Sequence, residues 1–214
     1  MNESTLNSGA TIGSEGRPYV LAGWLAIAMA VLFPLGFSLG FIQELIAGRM
    51  AGGRAMPTFG VADLIFLANT IISVYVYLQF RKLLNERYTY RGVNTLITLS
   101  IIWIILFQVE SLGIKLLMMA LWPVKDLTAL LIQAPVMVFN LLSIGVIDLF
   151  IGLRLLSQKE KLGERFAAFA YITLIAAICE LTLILTPIAL ILIPVSSVIL
   201  GMIFLREKEE VEFI

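Results

Sequence analysis

The sequence predicts an all-α protein, a polytopic transmembrane helical bundle of six spans with both termini in the cytoplasm. Three observations carry that expectation. Of the 214 residues, 60% are apolar and only 14% are charged, and the mean hydropathy is +0.98; a soluble domain of this composition would aggregate. The charges fall in short clusters separated by apolar runs of about 20 residues, the length that crosses hydrocarbon. Lys and Arg are unevenly shared between alternate loops, and that bias sets orientation.

Residues 1–17 open with MNESTLNSGATIGSEG, which lacks the basic start and apolar stretch of a secretory signal and reads as a disordered cytoplasmic tail. The six-helix domain is expected over residues 18–205. Span 1 covers about Tyr19 to Ala47. Pro34 in its middle removes one backbone hydrogen bond and predicts a kink near Phe33. Gly36 and Gly40 form a GxxxG pair, which predicts close packing against another helix. AGRMAGGRAMPT, residues 47–58, reads as a flexible basic loop.

Span 2 is expected at Phe59 to Phe80, followed by the loop RKLLNERYTYR at residues 81–91. Span 3 runs from about Val93 to Trp122, where Pro123 stops it. At 1.5 Å per residue it is about 45 Å long, more than the roughly 30 Å hydrocarbon core, so it must tilt or protrude. Span 4 covers about Asp126 to Leu156, with Pro135 inside, and ends at the charged loop SQKEKLGER. From Phe166 to Leu205 the one charged residue is Glu180. That stretch exceeds one crossing, so a tight hairpin at Thr186-Pro187 is expected to divide it into spans 5 and 6. Residues 206–214, REKEEVEFI, form a short acidic cytoplasmic tail.

Orientation follows from the basic residues. Arg17, Arg81, Lys82, Arg87, Arg91, Arg154, Lys159, Lys161, Arg165, Arg206 and Lys208 fall on one side, eleven in all, against Arg49, Arg54 and Lys125 on the other. The richer side is the cytoplasmic one. No internal repeat of the kind that builds inverted-repeat transporters is evident.

Charged groups at membrane depth are costly and each needs an explanation. Glu44 and Asp63 lie near the outer ends of spans 1 and 2 and read as interfacial carboxylates, with Asp63 also placed to cap a helix start. Glu110 stands in the middle of span 3. Gln108, Ser111 and Lys115 share one stripe of that helix, whereas Glu110 lies about 140° from Lys115, so Glu110 is expected to seek a partner on another helix. Glu180 lies in the outer half of span 5, and a contact of Lys115 with Glu180 or Glu110 is the preferred neutralisation. Asp148, with Asn140 two turns before it, is the deep acid of the inner half. Glu110, Lys115, Glu180, Gln108, Asp148 and Asn140 are the candidate buried polar site, beside the simpler reading that they make interhelical hydrogen bonds.

Tyr19, Trp24, Tyr88, Tyr90, Trp122 and Tyr171 stand near span ends and read as interfacial anchors. Pro34, Pro135 and Pro194 are expected to break spans 1, 4 and 6, a feature of some substrate sites and also of ordinary membrane helices. The chain has no histidine, so it lacks the usual ligand of haem, copper and catalytic zinc and the commonest general base. Its one cysteine, Cys179, cannot form an internal disulfide. No Walker loop, HExxH, cysteine pair or nucleophile elbow occurs. A Ser111–Lys115 dyad rests on spacing alone. No cofactor and no metal site is expected, and the zero net charge argues against nucleic acid as a partner.

Arg17 before Leu21-Ala22-Gly23, Asp63-Leu64-Ile65 opening span 2, Arg81-Lys82-Leu83-Leu84 closing it and Glu110 ahead of Leu116-Leu117-Met118-Met119 form a layout over about residues 17–205. It resembles that of the uncharacterised prokaryotic six-span proteins grouped as domain of unknown function 4386. Members often carry a histidine in the fourth helix, where this chain has Asn140 or its neighbours. The resemblance implies a six-span fold and adds no catalytic residue.

The expected location is the prokaryotic cytoplasmic (inner) membrane. The leading functional expectation is a non-catalytic membrane scaffold or accessory subunit, with lipid and a membrane-protein partner or a second copy as its contacts. The alternative is a small-solute or ion/proton transporter or channel, with Glu110, Lys115 and Glu180 around an outward-facing cavity. A membrane-embedded enzyme is third.

Overall fold

The computed structural model describes residues 17–50, 58–120 and 126–209, and among these every regular element is a helix. They are α1 (Arg17–Met50), α2 (Val61–Glu86), α3 (Asn94–Ala120), α4 (Asp126–Leu156), the single-turn α5 (Lys159–Leu162), α6 (Glu164–Leu181) and α7 (Thr186–Glu209). Five contain segments long and apolar enough to cross a membrane: Tyr19–Ala47, Val61–Glu86, Asn94–Ala120, Gln133–Leu156 and Thr186–Arg206. α6 is not among them; its 18 residues include Glu164, Arg165 and Glu180.

The long helices form a ring. α1 packs on α2, α2 on α3, α3 on α4, α4 on α6, α6 on α7, and α7 closes back on α1. The broadest contacts are α4 on α6, α1 on α7 and α1 on α2, while α3 is held least closely on both of its sides. The difference has a cause in the side chains. A Cβ on Gly152 would stand 3.1 Å from the Ala170 carbonyl oxygen, and one on Gly145 would stand 3.3 Å from that of Ala177. Both pairs are spaced by seven residues, so two helices meet along one seam at near-backbone contact. Gly23 and Gly201 do the same for α1 and α7, where a Cβ on Gly201 would lie 2.8 Å from the Gly23 oxygen. The expected Gly36 and Gly40 face meets α2: a Cβ on Gly36 would be 3.0 Å from Ile65 Cγ2, and one on Gly40 would be 3.7 Å from Ala62 Cβ. α3 has no such seam, since its one glycine, Gly113, has open space where a side chain would go.

One end of the ring is filled. Phe80 of α2 reaches across to Phe166 and Phe169 of α6 and Phe204 of α7, with ring centroids 6.2, 5.5 and 6.4 Å away. Leu83, Leu84, Val93, Ile97, Leu155 and Leu200 complete this core. Tyr19 belongs to it too: the ring stacks on Phe204 and the hydroxyl donates to Glu86 at 2.8 Å. It is therefore a core residue and not the lipid-facing anchor its position suggests. The same end carries the start of α1, the end of α7 and the turns after α2 and α4. Tyr90 donates to the Arg154 carbonyl oxygen at 3.0 Å, and burial pushes its hydroxyl pKa up against the lowering effect of the Arg154 charge.

Several expected boundaries move. α2 continues to Glu86, beyond Phe80, because Leu83 and Leu84 are fully buried and extend the apolar face past the basic pair Arg81-Lys82. The 159–162 stretch, expected as loop, forms one helical turn closed by Gly163 at φ 90°. The hairpin lies at residues 182–185, with Leu183 at φ 56°; Thr186 and Pro187 instead open α7, where proline's missing N–H has no cost. Arg206 to Glu209 belong to α7, so the expected tail starts later. Pro34, Pro135 and Pro194 lie inside uninterrupted helices, contrary to the expected breaks. Arg54, Trp122, Pro123, Lys125, residues 1–16 and residues 210–214 are outside the described residues.

Candidate functional site

The polar side chains of the apolar helices gather on the seams beside α3 and on the seam between α4 and α6. α2 and α3 are antiparallel and joined by three polar bridges, two of them in one register and the third shifted by one residue. Lys115 is paired with Asp63, Thr70 donates to Gln108 Oε1 at 3.1 Å, and Arg81 donates to Thr98 Oγ1 at 2.9 Å. Asp63 and Thr70 are seven residues apart on α2, as Gln108 and Lys115 are on α3, so each pair lies on one helical face. Asp63 also closes the first turn of α2 as a capping carboxylate does. Its Oδ2 accepts the Gly60 N–H at 2.9 Å while its own N–H donates to the Gly60 carbonyl. Gln43 of α1 joins the group by donating to Thr58 Oγ1 at 3.1 Å.

The position of Lys115 overturns the expected contact with Glu180 or Glu110. The physical reason is reach: Asp63 sits one seam away on the adjacent helix, whereas Glu180 belongs to α6, which does not pack on α3. Glu110 points the other way, to α4. Asn140 donates to Glu110 Oε2 at 2.7 Å and to the Val136 carbonyl at 3.0 Å. Asn140 is buried, as is Gln108. A little further out, Gln133 donates to Met118 Sδ at 3.0 Å. α3 thus hangs between its neighbours on long polar side chains, in place of the glycine seams found elsewhere.

Glu180 and Asp148 form a separate group on the α4–α6 seam. Glu180 is 3% exposed, and a Cβ on Gly145 would stand 3.2 Å from the Glu180 Cβ. Asp148 follows Gly145 by three residues, on the same face of α4. Glu180 Oε2 is buried and has no hydrogen-bond partner among the described residues. Thr70, which meets Gln108, is not among the residues the sequence suggests, because a threonine in an apolar run carries no charge that needs an explanation. Among the described residues no group of His, Cys, Asp and Glu could hold a metal ion.

The six candidate residues therefore divide into three places: Gln108 and Lys115 toward α2, Glu110 and Asn140 across α3 and α4, and Asp148 with Glu180 between α4 and α6. They do not form one hydrogen-bonded group among the described residues. No family model, curated protein or solved structure matches the chain.

Proposed function

We propose that this is a six-span integral membrane protein that acts as a non-catalytic scaffold or accessory subunit, with both termini in the cytoplasm. The apolar helices themselves are those of a membrane protein. Support for six crossings comes from α6, which runs antiparallel between α4 and α7 despite its length. Support for the orientation comes from Arg81, Lys82, Arg87, Arg91, Arg154, Lys159, Lys161, Arg165 and Arg206, which gather at the end holding the start of α1 and the end of α7. The expected likeness to domain of unknown function 4386 and a prokaryotic inner-membrane location belong to the same proposal.

The observation that carries the scaffold reading is the pairing of Lys115 with Asp63 and of Glu110 with Asn140. Two of the three groups a solute pathway would need free, Lys115 and Glu110, are engaged in joining neighbouring helices. A surface for a partner is also available. Residues 133–135 and 137–139 of α4 are all exposed, and at 100° per residue they span about 240° of the helix circumference. That half of α4 is held by α3 along one strip, and a membrane-protein partner or second copy would complete its packing. A photo-crosslinking residue at Leu131, Met137 or Phe139, each more than half exposed, should give a discrete adduct heavier than the 23.7 kDa chain in intact cells. Absence of any adduct, together with ion flux through vesicles of the purified protein, would overturn this reading in favour of an ion or proton pathway.

A further inference from the structure

We propose that the cavity between the start of α6 and the end of α7 binds the phosphate of an anionic phospholipid. The cavity measures about 80 Å³, which at about 30 Å³ per water is room for a few waters and so for one phosphate group. Arg165 of α6 and Arg206 of α7 both line it, and both are exposed. Guanidinium groups are the donors that match the geometry of phosphate oxygens, and here two come from adjacent helices. Glu164 also lines the cavity, so two cations stand against one anion. The wall behind them is apolar: Leu162, Phe166 and Ile203 are buried, and Tyr88 from the turn after α2 packs its ring against Phe166 at 4.9 Å. A charged rim on an apolar wall suits a phosphate that is attached to hydrocarbon.

The hydrocarbon has a surface to follow. On α7, Ile191, Val195, Val198 and Met202 are all exposed, and with Arg206 they fall within about 80° of the helix circumference. On α6, Ala168, Tyr171, Ile175 and Ile178 are exposed; they fall within a similar arc and begin one turn beyond Arg165. Two apolar stripes therefore run from the cavity along neighbouring helices, each with an arginine at its head. A diacyl lipid with its phosphate in the cavity would lay its chains on these stripes, whereas free phosphate would use the arginines alone. The basic residues that gather at this end favour an anionic headgroup over a zwitterionic one, whose own ammonium they repel. Other basic side chains of this end are engaged elsewhere, Lys82 with Glu86 and Arg81 with Thr98.

The site rests on the reading of α6 as a sixth span and is independent of the scaffold role. The experiment is native mass spectrometry of the whole purified protein in detergent, titrated with phosphatidylglycerol or with phosphatidylcholine of the same chains. One phosphatidylglycerol should stay bound under conditions that strip phosphatidylcholine. The double variant Arg165→Gln/Arg206→Gln should weaken that binding roughly tenfold or more through the loss of two charge-assisted contacts. Lys159→Gln/Lys161→Gln removes as much charge from the same end, outside the cavity, and should leave binding unchanged. The unmodified protein alone decides the lipid preference, so the test does not depend on any variant folding. Equal retention of the two lipids, or equal loss in the two double variants, would overturn the proposal. Displacement of the lipid by inorganic phosphate would overturn it too, since the cavity would then take the free anion. A spin label at Ile175 in vesicles reports the span separately and should be more accessible to oxygen than to an aqueous nickel chelate. The reverse accessibility would overturn the span and the site with it, whereas a lipid-exposed label without a preference for phosphatidylglycerol would overturn the site alone.

Discussion

Asn140 donates to Glu110 at 2.7 Å across the α3–α4 seam, so the acid in the middle of α3 is met by a neutral amide and not by a cation. A donor to a carboxylate in an apolar setting is worth more than one between neutral groups. Interhelical hydrogen bonds between membrane helices nonetheless average about 0.6 kcal/mol, with values up to ~1.7. The contact is thus a modest clamp for a helix that has few others.

Glu110→Gln keeps an oxygen for Asn140 and should leave the thermal midpoint in detergent close to that of the original protein. Glu110→Leu removes the acceptor and leaves Asn140 with the Val136 carbonyl alone, which should destabilise by about 1 kcal/mol. Equal midpoints for the two variants would mean that the contact contributes nothing.

Glycine positions should divide sharply. Gly152→Leu and Gly201→Leu force side chains into the α4–α6 and α1–α7 seams, where even a Cβ meets atoms at 2.6 and 2.7 Å. Each should lower the thermal midpoint or abolish recovery of folded protein, as overpacking costs roughly 1–3 kcal/mol or more. Gly113→Leu enters open space and should be tolerated. A large loss for Gly113→Leu would show that α3 packs against something beyond this chain, and tolerance at Gly152 would mean that the α4–α6 seam is not close-packed.

Orientation can be read by cysteine labelling in a Cys179→Ala background, since Cys179 is buried. Cysteines replacing Arg87 and Lys161 should be protected from an impermeant reagent in intact cells, and those replacing Arg49 and Lys125 should react. The opposite pattern would invert the protein in the membrane.

Much of this architecture is legible in the sequence because the helices announce themselves by length and apolarity. The bounds of α4 coincide with the apolar run between Asp126 and Leu156, and α3 begins within one residue of the expected start, its expected end at Trp122 lying outside the described residues. The pairing is less legible. Position alone puts Lys115 near the outer depth of Glu180, yet partner choice depends on which helices are neighbours around the ring, and a one-dimensional pattern does not encode ring order. Some of that order is nevertheless readable. Asp63 and Thr70 share the seven-residue spacing of Gln108 and Lys115, and Gly145 and Gly152 share that of Ala170 and Ala177. Matching such spacings between segments points to both seams. The end of α2 is obscured for another reason: Arg81 and Lys82 look like loop residues, while Leu83 and Leu84 continue the buried face.

The central claim is that charge at membrane depth holds helices together, and Asp63 with Lys115 tests it most directly. The measurement is a double-mutant cycle on thermal stability in detergent with Asp63→Asn, Lys115→Met and the two combined. Each single change leaves a charged group without its partner, and Asp63→Asn also weakens the cap on α2, so both singles should destabilise. The combined variant should be more stable than the sum of the singles predicts, with a coupling on the order of 1 kcal/mol or more, as for interacting neighbours. Strict additivity would contradict the claim, because the two charges would then be tolerated separately and not used as a pair.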